Sequence, residues 1–549
     1  MVLGWFWRLW RSFSGVGLCL GTLFFAASLT PSLIPRDFLV QGVLSGLCFC
    51  IGYALGVAWR WLWAFLGLPE PRRRLLHAAK LCAAVVCAAV AVLFLWRAAG
   101  WQNSIRALMG MEPVDTGHPL EVGLIALAAF LVLLGLSRLF HVVLMLVSDW
   151  LRRVLPIRLA YVIGTVVAAA LFWTAADGLL FRSALRFADS SFGRLDSLIP
   201  PDTVRPDDPG KTGSAASLVR WEDLGRMGRD FVATGPGAAE IGAFTGRPAK
   251  EPVRVYVGLH SGDTAEARAK LALRELIRAG GFDRSLLVVA TPTGTGWMDP
   301  AGMDPIEYLH DGDVAIVGVQ YSYLASWLSL FVEPGYGADS ARALFSEVYG
   351  YWTRLPKDKR PKLYLFGLSL GTFSSEQSNE LFEVLADPYQ GALWAGPPFP
   401  SRIWNWATAG RDPASPQWLP RFHDGSYIRF TGLEDALDLP GAHWGPMRVV
   451  YLQYPSDPIV FFSTSTLYRE PDWMKPPRGA DVSPQLRWYP IVTFLQLAVD
   501  MMIATTAPIG HGHVYAPRNY IDAWAEVTAA GWPASETERL KQHLAGRWQ

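Results

Sequence analysis

Five apolar stretches, near residues 13–30, 38–59, 77–96, 121–147 and 157–180, are each long enough to cross a bilayer, whose hydrocarbon core of about 30 Å takes roughly 20 residues as helix. No other feature constrains the fold as strongly. A segment in lipid must satisfy its backbone N–H and C=O groups without water, so an apolar run of this length folds as a spanning helix. Residues 1–180 are therefore expected to form a transmembrane domain of about five helices. The first stretch follows Arg8 and Arg11 and contains Ala26-Ala27-Ser28, so a cleaved signal peptide is its competing reading.

The connections carry an orientation signal. Arg8 and Arg11 precede the first span; Arg60, Arg72, Arg73, Arg74 and Lys80 lie between the second and third; Arg152, Arg153 and Arg158 lie between the fourth and fifth. In the other two connections Arg36 is offset by Asp37, and Arg97 and Arg106 by Glu112 and Asp115. Short loops rich in Lys and Arg stay cytoplasmic, so the N-terminus is expected inside and the chain beyond residue 180 outside.

Charge separates the two parts of the chain. Up to residue 180 there are 14 Lys and Arg against 7 Asp and Glu, which leaves 35 against 41 beyond it, although the whole chain sums to +1. A mildly acidic C-terminal part offers no basic field for phosphates, which excludes nucleic acid as an expected partner. All five cysteines (Cys19, Cys48, Cys50, Cys82 and Cys87) fall in the apolar part. They form no metal-binding or disulfide spacing and read as packing residues.

A polar linker, 181–217, rich in Pro, Gly, Ser and Asp from about 200, leads into a different pattern over 218–549. Short β-branched runs at 253–259, 286–291, 314–321, 362–368, 392–396 and 447–454 alternate with helix-like segments near 264–280, 339–354, 373–386 and 486–505. Strands separated by helices imply a mostly parallel sheet covered on both faces, an α/β domain.

Within it, Lys362–Leu368 reads as a strand, Gly367-Leu368-Ser369-Leu370-Gly371 as a tight turn, and the residues after it as a helix. GxSxG in that setting is the nucleophile elbow, where residues without side chains let the serine hydroxyl project above the sheet; the alternative is an ordinary tight turn. A serine hydroxyl needs a base to take its proton and a carboxylate to orient that base. Asp457, in Pro455-Ser456-Asp457-Pro458 after a strand, is the expected acid, against the alternative of an Asp that caps a turn; Asp481 and Asp500 are lesser candidates. The base is expected from Gly510-His511-Gly512-His513, before a helix near 518–530, with His513 favoured over His511, and His543 reads as solvated. The two loop histidines lack a third ligand in sequence, so neither a metal nor a cofactor is expected.

The Leu370 N–H, one residue after the nucleophile, is the expected first oxyanion donor. The second is expected from the loop after 286–291, at Thr293 or Gly294, with His260-Ser261-Gly262 as the alternative loop. The aromatic run from Tyr321 to Phe331 reads either as a lid or acyl pocket at the membrane surface or as core.

These residues carry a resemblance. TGTGWMDP (293–300), QYSYLASWLSL (320–330), RPKLYLFGLSLG (360–371), GALWAGPPF (391–399), VVYLQYPSDPIV (449–460) and GHGHVYAP (510–517) resemble the membrane α/β-hydrolases whose catalytic domain follows a multi-span N-terminal domain of its own, a family of largely uncharacterised bacterial membrane proteins. The chain departs from it at Leu368, where relatives often carry a polar or charged residue, and at Ala325, where they show Leu-Pro-Ser. The resemblance implies a serine-hydrolase triad on Ser369, Asp457 and a histidine of the GHGH loop, and it carries no substrate.

The combined expectation is a membrane-anchored, extracytoplasmic serine hydrolase that acts on an ester or related acyl bond of a lipid or envelope-linked substrate through an acyl-enzyme. An acyltransferase using the same triad and a non-catalytic membrane scaffold are the alternatives. Nothing in the sequence sets the oligomeric state.

Overall fold

In the computed structural model, residues 13–69, 73–175, 177–178, 196, 204–323 and 334–547 are described. The aromatic segment over 324–331, most of the linker, and Arg8, Arg11 and Arg72 lie outside them. The chain divides into two units: Met1–Arg186 with Phe462–Met474 and Ala480–Ile503, and Phe187–Phe461 with Lys475–Gly479 and Ala504–Gln549.

The first unit is helical: α1 (Gly15–Ser28), α2 (Phe38–Phe65), α3 (Arg73–Arg106), α4 (Pro119–Leu151) and α5 (Ile157–Thr174). Ser14 and Asp37 cap α1 and α2 by accepting the N–H groups of Gly17 and Val40, which start helices where a polar side chain replaces a missing backbone acceptor. Four of the five, α2 to α5, are long and apolar enough to cross a membrane. At 14 residues, α1 rises about 21 Å, short of a full crossing, so the structure has four such helices among the described residues where the sequence pattern suggests five. α1 packs closely on α2. A Cβ on Gly56 would lie 2.6 Å from Gly17 Cα, and one on Gly46 would lie 2.6 Å from Ala126 O of α4, the small-residue contact by which helices associate in lipid.

Residues 462–474 and 480–503 belong to this helical unit although the sequence places them within 218–549. Their helix Val492–Met502 sets Val492 against Leu44 and Cys48 of α2.

In the second unit, α6 (Ala265–Arg278), α7 (Pro300–Leu309), α8 (Pro334–Trp352), α9 (Leu370–Ser375) and α10 (Pro517–Thr528) accompany seven strands: β1 (Val253–Val257), β2 (Leu286–Thr291), β3 (Val314–Val319), β4 (Lys362–Leu368), β5 (Gly391–Ala395), β6 (Ile428–Thr431) and β7 (Arg448–Leu452). They form one parallel sheet in the order β1-β3-β2-β4-β5-β7-β6. Its strands are apolar along nearly their whole length and buried, as a sheet covered on both faces requires. The architecture is that of an α/β-hydrolase domain after a helical N-terminal region. β4 occupies the centre, so the turn after it opens in the middle of the sheet's C-terminal edge, where open α/β sheets place their ligands.

Candidate active site

Ser369 sits between β4 and α9 with φ 58° and ψ −126°, a region that a residue with a Cβ rarely adopts. The local sequence makes the turn possible. A Cβ on Gly367 would run into the backbone of Gly371 and Thr372, and one on Gly371 would collide with Thr291 O. The Thr372 hydroxyl then donates to Gly367 O and Ala395 O, both at 2.7 Å, and the Ser369 N–H donates to Ala395 O at 2.9 Å. These bonds tie the turn to the end of β5.

β7 delivers Asp457, which is fully buried. Its Oδ1 accepts the Ile459 N–H at 2.9 Å and caps the short helix Pro458–Phe461. Its Oδ2 lies 2.7 Å from His513 Nδ1 and accepts the Tyr515 hydroxyl at 2.7 Å. The histidine loop is fixed by its backbone: the Gly512 N–H donates to Ser456 Oγ at 2.8 Å and the His513 N–H to Ala504 O at 3.1 Å. His511 instead pairs through its backbone with Val514 in the same turn.

His513 and the elbow meet at β5. A Cβ on Gly396, the residue after β5, would lie 2.6 Å from His513 Cε1, next to the Ala395 carbonyl that holds Ser369. His513 Nε2 is buried and has no hydrogen-bond partner among the described residues, so Ser369 Oγ is not bonded to it here. Catalytic hydrogen bonds in ligand-free sites often tighten only around substrate.

Leu370 is the first residue of α9, where the helix supplies no acceptor for its N–H. The loop after β2 lies beside it, since β2 pairs with β4 and a Cβ on Gly371 would meet the carbonyls of Thr291 and Pro292. Within that loop the Thr293 N–H is committed to Trp297 O at 3.0 Å. Thr293 keeps its hydroxyl, 3.2 Å from that of Thr295, and Gly294 is the other residue the sequence singled out in this loop. The alternative loop, His260-Ser261-Gly262, follows β1, which the strand order separates from β4 by two strands. There His260 meets the Tyr323 hydroxyl at 3.1 Å.

The other acid candidates belong to the helical unit. Asp500 bonds Arg36 in the helical unit, and Asp481 belongs to that unit too. His543, expected to be solvated, is exposed, with its ring stacked on Phe244 and 3.3 Å from the Tyr308 hydroxyl.

Two residues near the site were given no role by the sequence. Tyr515 touches Asp457. Asp299 caps α7 through the Ala301 N–H at 2.9 Å, and burial pushes its carboxyl up to about 7, against the opposing pull of its hydrogen bonds and of His513. An Asp-Pro pair ahead of a helix was the available signal for Asp299. Among the described residues, no group of three or more His, Cys, Asp and Glu side chains is arranged to hold a metal ion.

A family model described as an alpha/beta-hydrolase family matches residues 253–540, just over half of the chain. A second, described as the N-terminus of an alpha/beta-hydrolase family, matches residues 29–236. Comparison with curated proteins and with solved structures gave no match. A parallel sheet with an elbow serine at its centre, preceded by apolar helices, agrees with both matches, and the chain belongs to this alpha/beta-hydrolase family.

Proposed function

We propose that the protein is a membrane-anchored serine hydrolase that cleaves an ester or related acyl bond through an acyl-enzyme, with Ser369 as nucleophile, His513 as base and Asp457 as acid. The observation that carries the reading is the 2.7 Å contact between His513 Nδ1 and the buried Asp457 carboxylate, beside a serine held at a positive φ on the central strand. With Nδ1 bound to the acid, the neutral imidazole presents Nε2 as acceptor.

In this reading Ser369 Oγ attacks the acyl carbonyl carbon while its proton passes to Nε2. The carbonyl oxygen becomes an oxyanion facing the Leu370 N–H. Collapse breaks the bond to the leaving alcohol or thiol, which takes the proton from His513. Water, or an acceptor hydroxyl, then attacks the acyl-enzyme by the reverse route and frees Ser369.

Four helices long and apolar enough to cross a bilayer support a tethered enzyme, and a tethered site favours lipid or envelope-linked acyl substrates over a diffusible metabolite. The charge pattern supports an extracytoplasmic site. The test is labelling by a fluorophosphonate, whose phosphorus is attacked by an activated serine with loss of fluoride. Wild-type protein should label, and Ser369→Ala should lose the label at unchanged expression and membrane insertion. Undiminished labelling of the variant would overturn the assignment.

A further inference from the structure

The Asp457 carboxylate has a partner outside the serine, acid and base set. The Tyr515 hydroxyl lies 2.7 Å from Asp457 Oδ2, the same oxygen that His513 Nδ1 meets at 2.7 Å, while the Ile459 N–H occupies Oδ1. The phenol is the donor. It is fully buried beside a carboxylate, and burial, together with that charge, pushes its ionisation well above the ordinary tyrosine range.

Its position is fixed independently of the acid. The Tyr515 ring stacks on Tyr454 at 4.5 Å and 22° and meets the His513 ring edge-on at 5.8 Å and 80°. Tyr454 is anchored in turn, because its hydroxyl donates to Asn519 Oδ1 at 2.6 Å and accepts the Ala516 N–H at 2.9 Å. The hydroxyl is thus delivered to Oδ2 by packing that would survive its removal.

Two donors on one oxygen divide its charge, and each draws density that the other would otherwise hold. Resting on the serine-hydrolase reading above, we infer that Tyr515 is a positioning residue that tempers the triad acid: its hydroxyl fixes the Asp457 carboxylate and limits how tightly that carboxylate holds the imidazolium. An acid without this partner retains the proton on His513 for longer, where the mechanism needs it released to the leaving group. The other groups that face this cluster are Asp299 from the loop after β2, whose charge acts on His513, His511 on the same turn, and the neutral hydroxyls of Tyr454 and of Tyr520, whose ring lies 6.3 Å from that of Tyr515.

The experiment is the pH dependence of fluorophosphonate labelling of the full-length, detergent-solubilised protein. Bond formation from Ser369 Oγ to phosphorus expels fluoride and sends the serine proton to His513 Nε2, so the rate requires neutral imidazole and needs no natural substrate. Tyr515→Phe keeps the ring and should move the acid limb of the profile to higher pH by about half a unit, a roughly threefold loss of rate below the midpoint. 3-Fluorotyrosine at 515, a stronger donor with the ring intact, should move it to lower pH. The Tyr515→Phe shift should persist when Asp299→Asn removes the other titrating carboxyl. An acid limb unmoved by Tyr515→Phe, alone or with Asp299→Asn, overturns the inference and leaves the serine assignment standing. Absence of Ser369 labelling in the wild type overturns the serine assignment and the inference with it.

Discussion

Asp457 combines two tasks in one side chain. Oδ1 closes the turn after β7 by accepting the Ile459 N–H, and Oδ2 meets His513 Nδ1, so the turn-capping reading of Asp-Pro and the proposed catalytic one use different oxygens of the same carboxylate. Asp457→Asn can keep the cap and the shape but loses the charge that orients the base and stabilises the imidazolium; turnover of a p-nitrophenyl ester should fall by about three to four orders of magnitude with little change in melting temperature. His513→Ala should fall comparably, whereas His511→Ala should stay within about tenfold of the wild type. A dead His511→Ala beside an active His513→Ala would reassign the base. The tight turn at Ser369 and the loops that bring Asp457 to His513 were legible in sequence because each is a short pattern tied to its own strand or loop. Tyr515 and Asp299 were not, because their roles come from contacts between segments far apart in the chain. The turn bond from the Thr293 N–H to Trp297 O was likewise not legible, because it leaves no mark in composition.

Elements were legible in proportion to their length and apolarity. Six strands stood out as β-branched runs, while β6 has four residues and carries Arg429, whose guanidinium is used on the carbonyls of Gly425 and Leu437. α7 was hidden by Pro300 and Pro305. The helix Val492–Met502 was read as an ordinary cover of the sheet, yet it enters the helical unit, where Asp500 Oδ1 accepts from Arg36 Nε at 2.8 Å with both side chains fully buried. Asp500 Oδ2 accepts the Leu33 N–H at 3.0 Å, and Arg36 Nη1 donates to Gln41 Oε1 at 2.9 Å. Removing one member of such a pair strands a buried charge and costs about 3–5 kcal/mol. Arg36→Leu and Asp500→Leu should each lower the thermal stability of the detergent-solubilised protein clearly, and the Arg36→Leu/Asp500→Leu double variant should lose less than the two single losses added. Two single variants as stable as the wild type would show that the pair does not hold this helix.

For the whole molecule, the shortness of α1 does not alter the side assigned to the catalytic unit. The proposed side rests on the positive-inside rule applied to the basic loop between α2 and α3 and to the later spans: with Arg73 and Arg74 inside, the α3 to α4 connection would lie outside, the Arg152 and Arg153 loop inside, and the chain after α5 outside. Whether α1 crosses changes only the side of the residues before it. Chemistry and topology therefore meet in one observation, labelling of intact right-side-out membrane vesicles with a membrane-impermeant fluorophosphonate, followed by mapping of the modified peptide. The account predicts an adduct on Ser369 without permeabilisation and none in Ser369→Ala; an adduct that appears only after the vesicles are opened, or that forms on the Ser369→Ala protein, would contradict it.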